Sequence, residues 1–353
     1  MDSVIRRKED EDGVLAAPDR GTAPPAQSEP LPMMAAYIPM MTAGALAAAG
    51  RLGVFKALAD GPLDVQSLAE AAGSSAAGME RLTDFLVASG HLRRHGRMIA
   101  NTSEMIRWFT HRGIVDYSAG LDWTADAWSV MDDLSDAVRQ GGPKQLLWDR
   151  MAERPELGDR FSRYMHAFAK HLAPDLVDLS ELPARPLRLL DLGGSHGTHS
   201  MAFCRRFPEL QAVIVDLETA LADTSARITY EGFADRISVR NGDIRECDWG
   251  EGYDLALYLS VAHNMSIDEN RRIFRRLGSV LRPGGVLIIH DYPRETTPAL
   301  FEAAFRLTLL VETGTQTLTC VEFSDLLEDA GFSSNSLHVL SPAEKGSLIV
   351  ARR

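Results

Sequence analysis

The residues with the most chemistry in them surround one glycine turn. Leu189-Leu190-Asp191-Leu192 reads as an apolar strand and runs into Gly193-Gly194-Ser195-His196-Gly197. Backbone approaches a ligand closely where side chains are absent, and a turn of this kind opens a helix whose N–H groups face that ligand. Three chemistries compete for it. It can be a dinucleotide fingerprint, a G-x-S-x-G nucleophile elbow (Gly193, Ser195, Gly197), or a cradle for the sulfonium cofactor S-adenosylmethionine (SAM).

Acidic residues further along separate the three. Asp216 ends a second strand, 23 positions beyond Gly193, where a carboxylate can take both hydroxyls of a ribose. That feature suits dinucleotide and SAM sites alike. Asp191 lies inside the first strand, two residues before the glycines. SAM carries an ammonium and a sulfonium and no pyrophosphate, so an acid beside the loop favours it. Asn241-Gly242-Asp243-Ile244 closes a third strand, where the Asp243 carboxylate can accept from an adenine amine and Ile244 can cover the ring. Successive strand ends line one crevice in open α/β sheets. The nucleophile elbow fails on context, because only helical sequence precedes the strand that carries Ser195.

The elements that must position these residues follow from periodicity. Runs at 187–192, 212–217, 237–240, 253–260 and 286–291 alternate with helical stretches and read as βα units of a parallel sheet. Runs at 336–340 and 347–351 leave no room for a helix between them. They predict a hairpin that places an antiparallel strand in an otherwise parallel sheet. Ahead of this part, 35–110 is helical and ends in a short hairpin around Gly90–Ile99, the topology of a winged helix. Further helices over 115–182 carry Trp123, Trp128, Met131, Trp148, Phe161, Met165 and Phe168, which fit a helix core or the lid of an apolar pocket. The division expected is a disordered tail at 1–30, a winged-helix-like domain at 31–112, pocket helices at 113–183 and a cofactor-binding domain at 184–353.

Bulk properties narrow the class. The chain has 353 residues, 45% apolar and 24% charged, with a formal net charge of −12. That balance disfavours nucleic acid and anionic membrane as partners. The winged-helix region has seven basic and six acidic residues between 31 and 110, which is no DNA footprint. Cys204, Cys247 and Cys320 form no C-x-x-C pair, consistent with a reducing cytoplasmic setting. Residues 31–50 are uncharged, but Pro32, Pro39, Gly44 and Gly50 interrupt them. A buried helix at a subunit interface is expected there rather than a membrane span.

Taken together, residues 35–353 resemble the SAM-dependent O-methyltransferases of the plant caffeate and bacterial natural-product type. The resemblance runs through Val138-Arg139-Gln140-Gly141-Gly142-Pro143, Pro155-Glu156-Leu157, Asp191-Leu192-Gly193-Gly194, Val215-Asp216-Leu217, Gly242-Asp243-Ile244 and Leu281-Arg282-Pro283-Gly284-Gly285. It implies a Rossmann-like class I methyltransferase sheet in an α/β domain and an N-terminal winged-helix dimerisation domain. It further implies a homodimer, SAM held by Asp191, Gly193, Gly194, Gly197, Asp216, Leu217, Asp243 and Ile244, and a small-molecule hydroxyl as methyl acceptor.

The resemblance also places the catalytic base, a histidine just after the fourth strand, at His263. An imidazole can take a phenol or enol proton while the oxygen attacks a methyl group. The family's flanking glutamates are replaced: Ile289-His290-Asp291-Tyr292 stands at one position and Thr317 at the other. Asp291, His290 or Glu312 could therefore orient His263, with Asp291 the first choice. No metal is assigned. Convergence of His263, His290 and Asp291 on a metal, as in C-methylation of a 2-oxo acid, is the enzymatic alternative. A non-catalytic SAM-fold regulator is the other.

Overall fold

The computed structural model describes residues 32–113, 116–179 and 181–353, so the tail expected at 1–30 lies outside the described residues. The chain divides into two compact units, Met1–Thr42 and Ala43–Arg353. The boundary falls within α1 (Pro32–Arg51), which by length and composition alone is long and apolar enough to cross a membrane. The burial expected of it is met only in its second half. Ala45, Ala47 and Ala49 are buried, whereas Met33, Tyr37, Ile38 and Met40 are exposed.

The second unit begins with α2 (Val54–Ala57), β1 (Leu63–Asp64), α3 (Val65–Ala71) and α4 (Ala76–Ala88), then the hairpin β2 (Leu92–His95) and β3 (Met98–Asn101), and α5 (Ser103–Phe109). Polar caps set the helix starts. Asp64 accepts from the Ser67 amide, Ser75 from Gly78 and Thr102 from Met105. Apolar residues at helical spacing on α4 (Met79, Leu86) close a core with Phe55, Leu68, Leu92 and Ile99. This is the helices-then-hairpin order expected of a winged helix.

Next come α6 (Ser118–Met131), α7 (Leu134–Gln140), α8 (Leu147–Glu153) and the long α9 (Pro155–Val177). Trp123, Val130, Leu147, Met151 and Leu157 form their shared core with Val311 from a later helix.

The α/β part runs β4 (Arg188–Leu192), α10 (Thr198–Arg206), β5 (Gln211–Asp216), α11 (Thr224–Tyr230), β6 (Ile237–Asn241), β7 (Tyr253–Leu259), α12 (Ile267–Val280), β8 (Leu281–Asp291), α13 (Ala299–Glu312), α14 (Cys320–Asp329), β9 (Ser334–Val339) and β10 (Ser347–Arg352). These strands lie in the order β6-β5-β4-β7-β8-β10-β9. The first five are parallel, and β10 pairs antiparallel with both β8 and β9, as the short 340s connection requires. Both faces are covered. Leu190, Leu192, Ala256, Tyr258, Leu287 and Ile289 pack one way, and Leu189, Ile214, Leu255, Leu257 and Ile288 the other. Each fully buried Leu, Ile or Phe contributes about 1.5–3 kcal/mol. Strand order reverses at β4, so the ligand crevice must open beyond the carboxyl ends of β4, β5 and β7.

Candidate active site

The turn after β4 is built by conformations that only small residues hold without strain. Gly193 and Gly197 both have φ of 72°. A Cβ on Gly193 would stand 2.6 Å from Val261 Cγ2, and one on Gly194 would stand 2.6 Å from Asp191 Cγ. Ser195, where a third glycine would be ordinary, accepts φ of 38°. Its hydroxyl donates to the Ala220 carbonyl and its own carbonyl accepts from Thr224 Oγ1 at 2.7 Å. It is a loop tie, not a nucleophile.

Asp191 is 1% exposed and accepts from Ser200 Oγ at 2.7 Å. Burial pushes its carboxyl up to about 7, with Ser200 pulling it down and Asp216 adding to the rise. Asp216 accepts from the Ser195 amide at 2.9 Å and the Leu217 amide at 2.8 Å. Burial outweighs those two bonds and holds it at about 6. Two acids made reluctant to ionise, beside a cradle that any side chain on Gly194 would fill, suit a ligand that brings its own positive charge. SAM fits that description, and Leu217, 39% exposed at the end of β5, is free to cover an apolar ring.

Two cofactor expectations meet a different local arrangement. Both oxygens of Asp243 are within hydrogen-bond distance of the Arg245 guanidinium, which holds the carboxyl below its usual range. Ile244 turns inward, 6% exposed in the core with Trp249 and Leu192, so little of it remains to cover a ring.

His263 lies in a short turn after β7, and its position is set from both sides. Ser260 takes φ of 57°, and its amide donates to the His290 carbonyl at 2.8 Å. Val261 packs against Gly193, and Thr315 Oγ1 donates to the His263 carbonyl at 2.5 Å. The ring is 5.0 Å from Phe305 and 6.4 Å from Tyr292, centroid to centroid. Its Nδ1 stands 2.9 Å from Asp291 Oδ1, and its backbone amide donates to Oδ2 at 3.2 Å. The Tyr292 amide completes the Asp291 shell at 2.8 Å. Burial raises this carboxyl, but the imidazole and the hydrogen bonds outweigh it and hold Asp291 below the usual carboxylate range. An ionised Asp291 accepts from Nδ1–H and leaves the lone pair on Nε2.

The other orienting candidates stand elsewhere. His290 alternates to the opposite side of β8 from Asp291. Its Nδ1 engages Ser260 Oγ at 2.9 Å and its Nε2 the Lys345 carbonyl at 2.8 Å. The His263/His290/Asp291 metal alternative therefore fails, since both ring nitrogens of His290 are already engaged away from the other two. Glu312 closes α13 and makes no bond to His263. Glu322 is spent on the capping box of α14 with Thr319. The sequence reading missed Phe305, Tyr292 and Thr315 around His263; only the aromatic pair Phe301 and Phe305, one turn apart on α13, hinted at them.

Comparison with known proteins bears on the family and the fold. Residues 131–333 match the family model of the O-methyltransferase domain, and 37–110 that of the O-methyltransferase dimerisation domain. The chain is 28% identical over 315 residues to 3-hydroxy-5-methyl-1-naphthoate 3-O-methyltransferase of Streptomyces sahachiroi, covering 85% of this chain and 89% of that one. A solved structure of a protein assigned as an O-methyltransferase, from Nostoc punctiforme, matches with a TM-score of 0.81 at 25% identity, over 92% of this chain and 100% of that one. Human N-acetylserotonin methyltransferase, solved with SAM, shares the fold with a TM-score of 0.79 at 22% identity, over 93% and 99% of the two chains.

Proposed function

The chain belongs to the family of SAM-dependent O-methyltransferases, and from that premise we propose that it methylates a hydroxyl of a small aromatic or polyketide-like secondary metabolite, with His263 as general base. The observation that carries this reading is one of linkage. Val261 packs on Gly193 of the cofactor loop, and the His263–Asp291 pair follows two residues later. The acid-lined loop and the base are thereby held in one corner of the sheet. The naphthoate relative, named for methylating an aromatic hydroxyl, supports the acceptor class.

SAM, when bound, supplies an electrophilic methyl group. Asp191 and Asp216 would hold it, with Gly193, Gly194 and Gly197 giving it backbone access and Leu217 covering it; Asp243 and Ile244, which follow the neighbouring strand β6, would contribute less, since Arg245 and the core engage them. His263 Nε2 takes the proton of the acceptor hydroxyl, which makes the oxygen nucleophilic. Asp291 keeps Nδ1 protonated and stabilises the imidazolium once that proton arrives. Phe305 and Tyr292 pack beside the imidazole, which limits water at the base. Proton removal of this kind contributes about 10²–10⁴ in rate.

The winged-helix region at 31–112 would serve a homodimer, with pocket helices at 113–183 and the catalytic domain at 184–353. The exposed Met33, Tyr37, Ile38 and Met40 on α1 support such an interface. A cytoplasmic enzyme free of membrane and nucleic acid fits the three free cysteines and the acidic balance. Titration with SAM and S-adenosylhomocysteine (SAH), followed by labelled SAM against a panel of phenols and enols, tests the reading. Binding of SAH and transfer to oxygen are expected; absence of SAH binding refutes it.

A further inference from the structure

Glu312 is a charged group in this corner that the reaction leaves unexplained. It has no hydrogen-bond or ion-pair partner among the described residues, whereas Glu302 on the same helix pairs with Thr317 and Arg306. It is also the last residue of α13, where the helix dipole opposes a negative charge. Burial, dipole and the missing partner all weigh against a carboxylate here, so it does nothing for the stability of the fold.

Its surroundings say what it could meet. Phe305 and Glu312 are seven residues apart, on one stripe of α13 and about 10 Å apart along its axis. Phe305 packs on His263, and Thr315, three residues past Glu312, returns to the His263 carbonyl. Val311 packs with Trp123, Phe161 and Tyr164. Tyr164 and Tyr117 both flank Gly120, their ring atoms 3.3 and 3.6 Å from where its Cβ would be. The hydroxyls of Tyr117, Tyr164 and Tyr292 also lack hydrogen-bond partners among the described residues. Burial raises the Tyr164 phenol, and the charge of Glu312 adds to the rise. Burial raises Glu312 itself to about 7, with His263 pulling it down.

We propose that Glu312, with the aromatic rings of Tyr117, Tyr164 and Tyr292, recognises a protonated amino group on the methyl acceptor, at the end away from the hydroxyl presented to His263. A carboxylate with phenol rings in its neighbourhood favours an ammonium over a neutral group by charge-assisted hydrogen bonding, to which a ring face adds cation–π attraction, and disfavours an anion. This inference rests on the methyltransferase reading above and narrows its acceptor class.

The test uses the full chain saturated with SAH and two matched ligand pairs: dopamine against its alcohol analogue, and 6-(2-aminoethyl)-2-naphthol against its alcohol analogue. Calorimetry should show at least one amine bound at least tenfold more tightly than its alcohol at pH 8. Glu312→Gln keeps the volume and removes the charge, and should bring that ratio to within twofold while SAH affinity reports an intact fold. The amine advantage should shrink from pH 8 to pH 6 as Glu312 takes up its proton. If no amine outbinds its alcohol, including the case where none binds, or if the ratio survives in Glu312→Gln, the proposal is overturned while SAH binding leaves the methyltransferase reading standing. Failure of SAH itself to bind overturns both.

Discussion

Replacing Asp291 by Asn changes one atom and divides three hydrogen bonds. In the native chain Oδ1 accepts from His263 Nδ1 and the Tyr292 amide, and Oδ2 from the His263 amide. An asparagine has one accepting oxygen, so one orientation sets its NH₂ against the His263 amide. The other sets it against the Tyr292 amide and donates to Nδ1, which moves the imidazole proton to Nε2 and removes the base. Each orientation leaves a buried donor facing a donor, at a cost of about 1–3 kcal/mol in stability. Both remove the charge that stabilises the imidazolium. A loss of about 10²–10⁴ in kcat/KM is expected, equivalent to about 2.7–5.5 kcal/mol of barrier. The assay is transfer from labelled SAM to whichever hydroxylated acceptor turns over, with SAH affinity measured by calorimetry and expected to be unchanged. Asp291→Asn activity within tenfold of the native enzyme at every pH would refute the pairing of Asp291 with the base.

Other outcomes follow from the same geometry. Because burial raises Asp191 to about 7 and Asp216 to about 6, both take up protons as pH falls through that range, and SAM affinity should drop on the order of tenfold between pH 8 and pH 5.5. The same raised carboxyls destabilise the cofactor-free fold above their folded values, and relief comes as pH falls towards their unfolded values. Buried histidines such as His196 and His199, held below their usual range by burial, oppose this relief as pH falls, so the difference between proteins carries the test: from pH 8 to pH 6 the native cofactor-free protein should gain melting temperature relative to Asp191→Asn, and parallel profiles contradict the assignment. Gly194→Ala puts a methyl group against the Asp191 carboxyl and should abolish SAH binding with the secondary structure, read by circular dichroism, intact. Ile38→Glu on the exposed face of α1 should shift the chain from dimer to monomer in sedimentation, and an unchanged dimer would place the interface elsewhere.

Much of this architecture is legible in the amino-acid sequence. The strand runs carry their own period, and the short connection after position 340 forces the terminal hairpin. Asp191 and Asp216 can be singled out because they stand near the carboxyl ends of neighbouring strands, where open sheets form their crevice, whereas His263 is singled out by the family resemblance. Strand alternation likewise separates Asp291 from His290. What cannot be read are consequences of helix packing. Nothing in the local sequence tells that Phe305 packs on His263 or that Tyr164 and Glu312 share a wall, since α9 and α13 are more than a hundred residues apart. Asp243 and Ile244 differ for a more local reason: Arg245, two residues on, captures the carboxylate, and Trp249 draws the isoleucine inward.

The contact between Val261 and Gly193 has a consequence for how such an enzyme can diversify. The glycine loop and the His263 turn hang from adjacent strands and brace each other, so they move, if at all, as one piece. The wall we propose for the acceptor is furnished by α6, α9 and α13, which share no residue with that brace. Substitutions there can trade one acceptor for another while the brace stays intact, and an engineer wishing to redirect this chain should begin at Tyr164, which makes no ring contact with His263, and leave residues 260–263 alone.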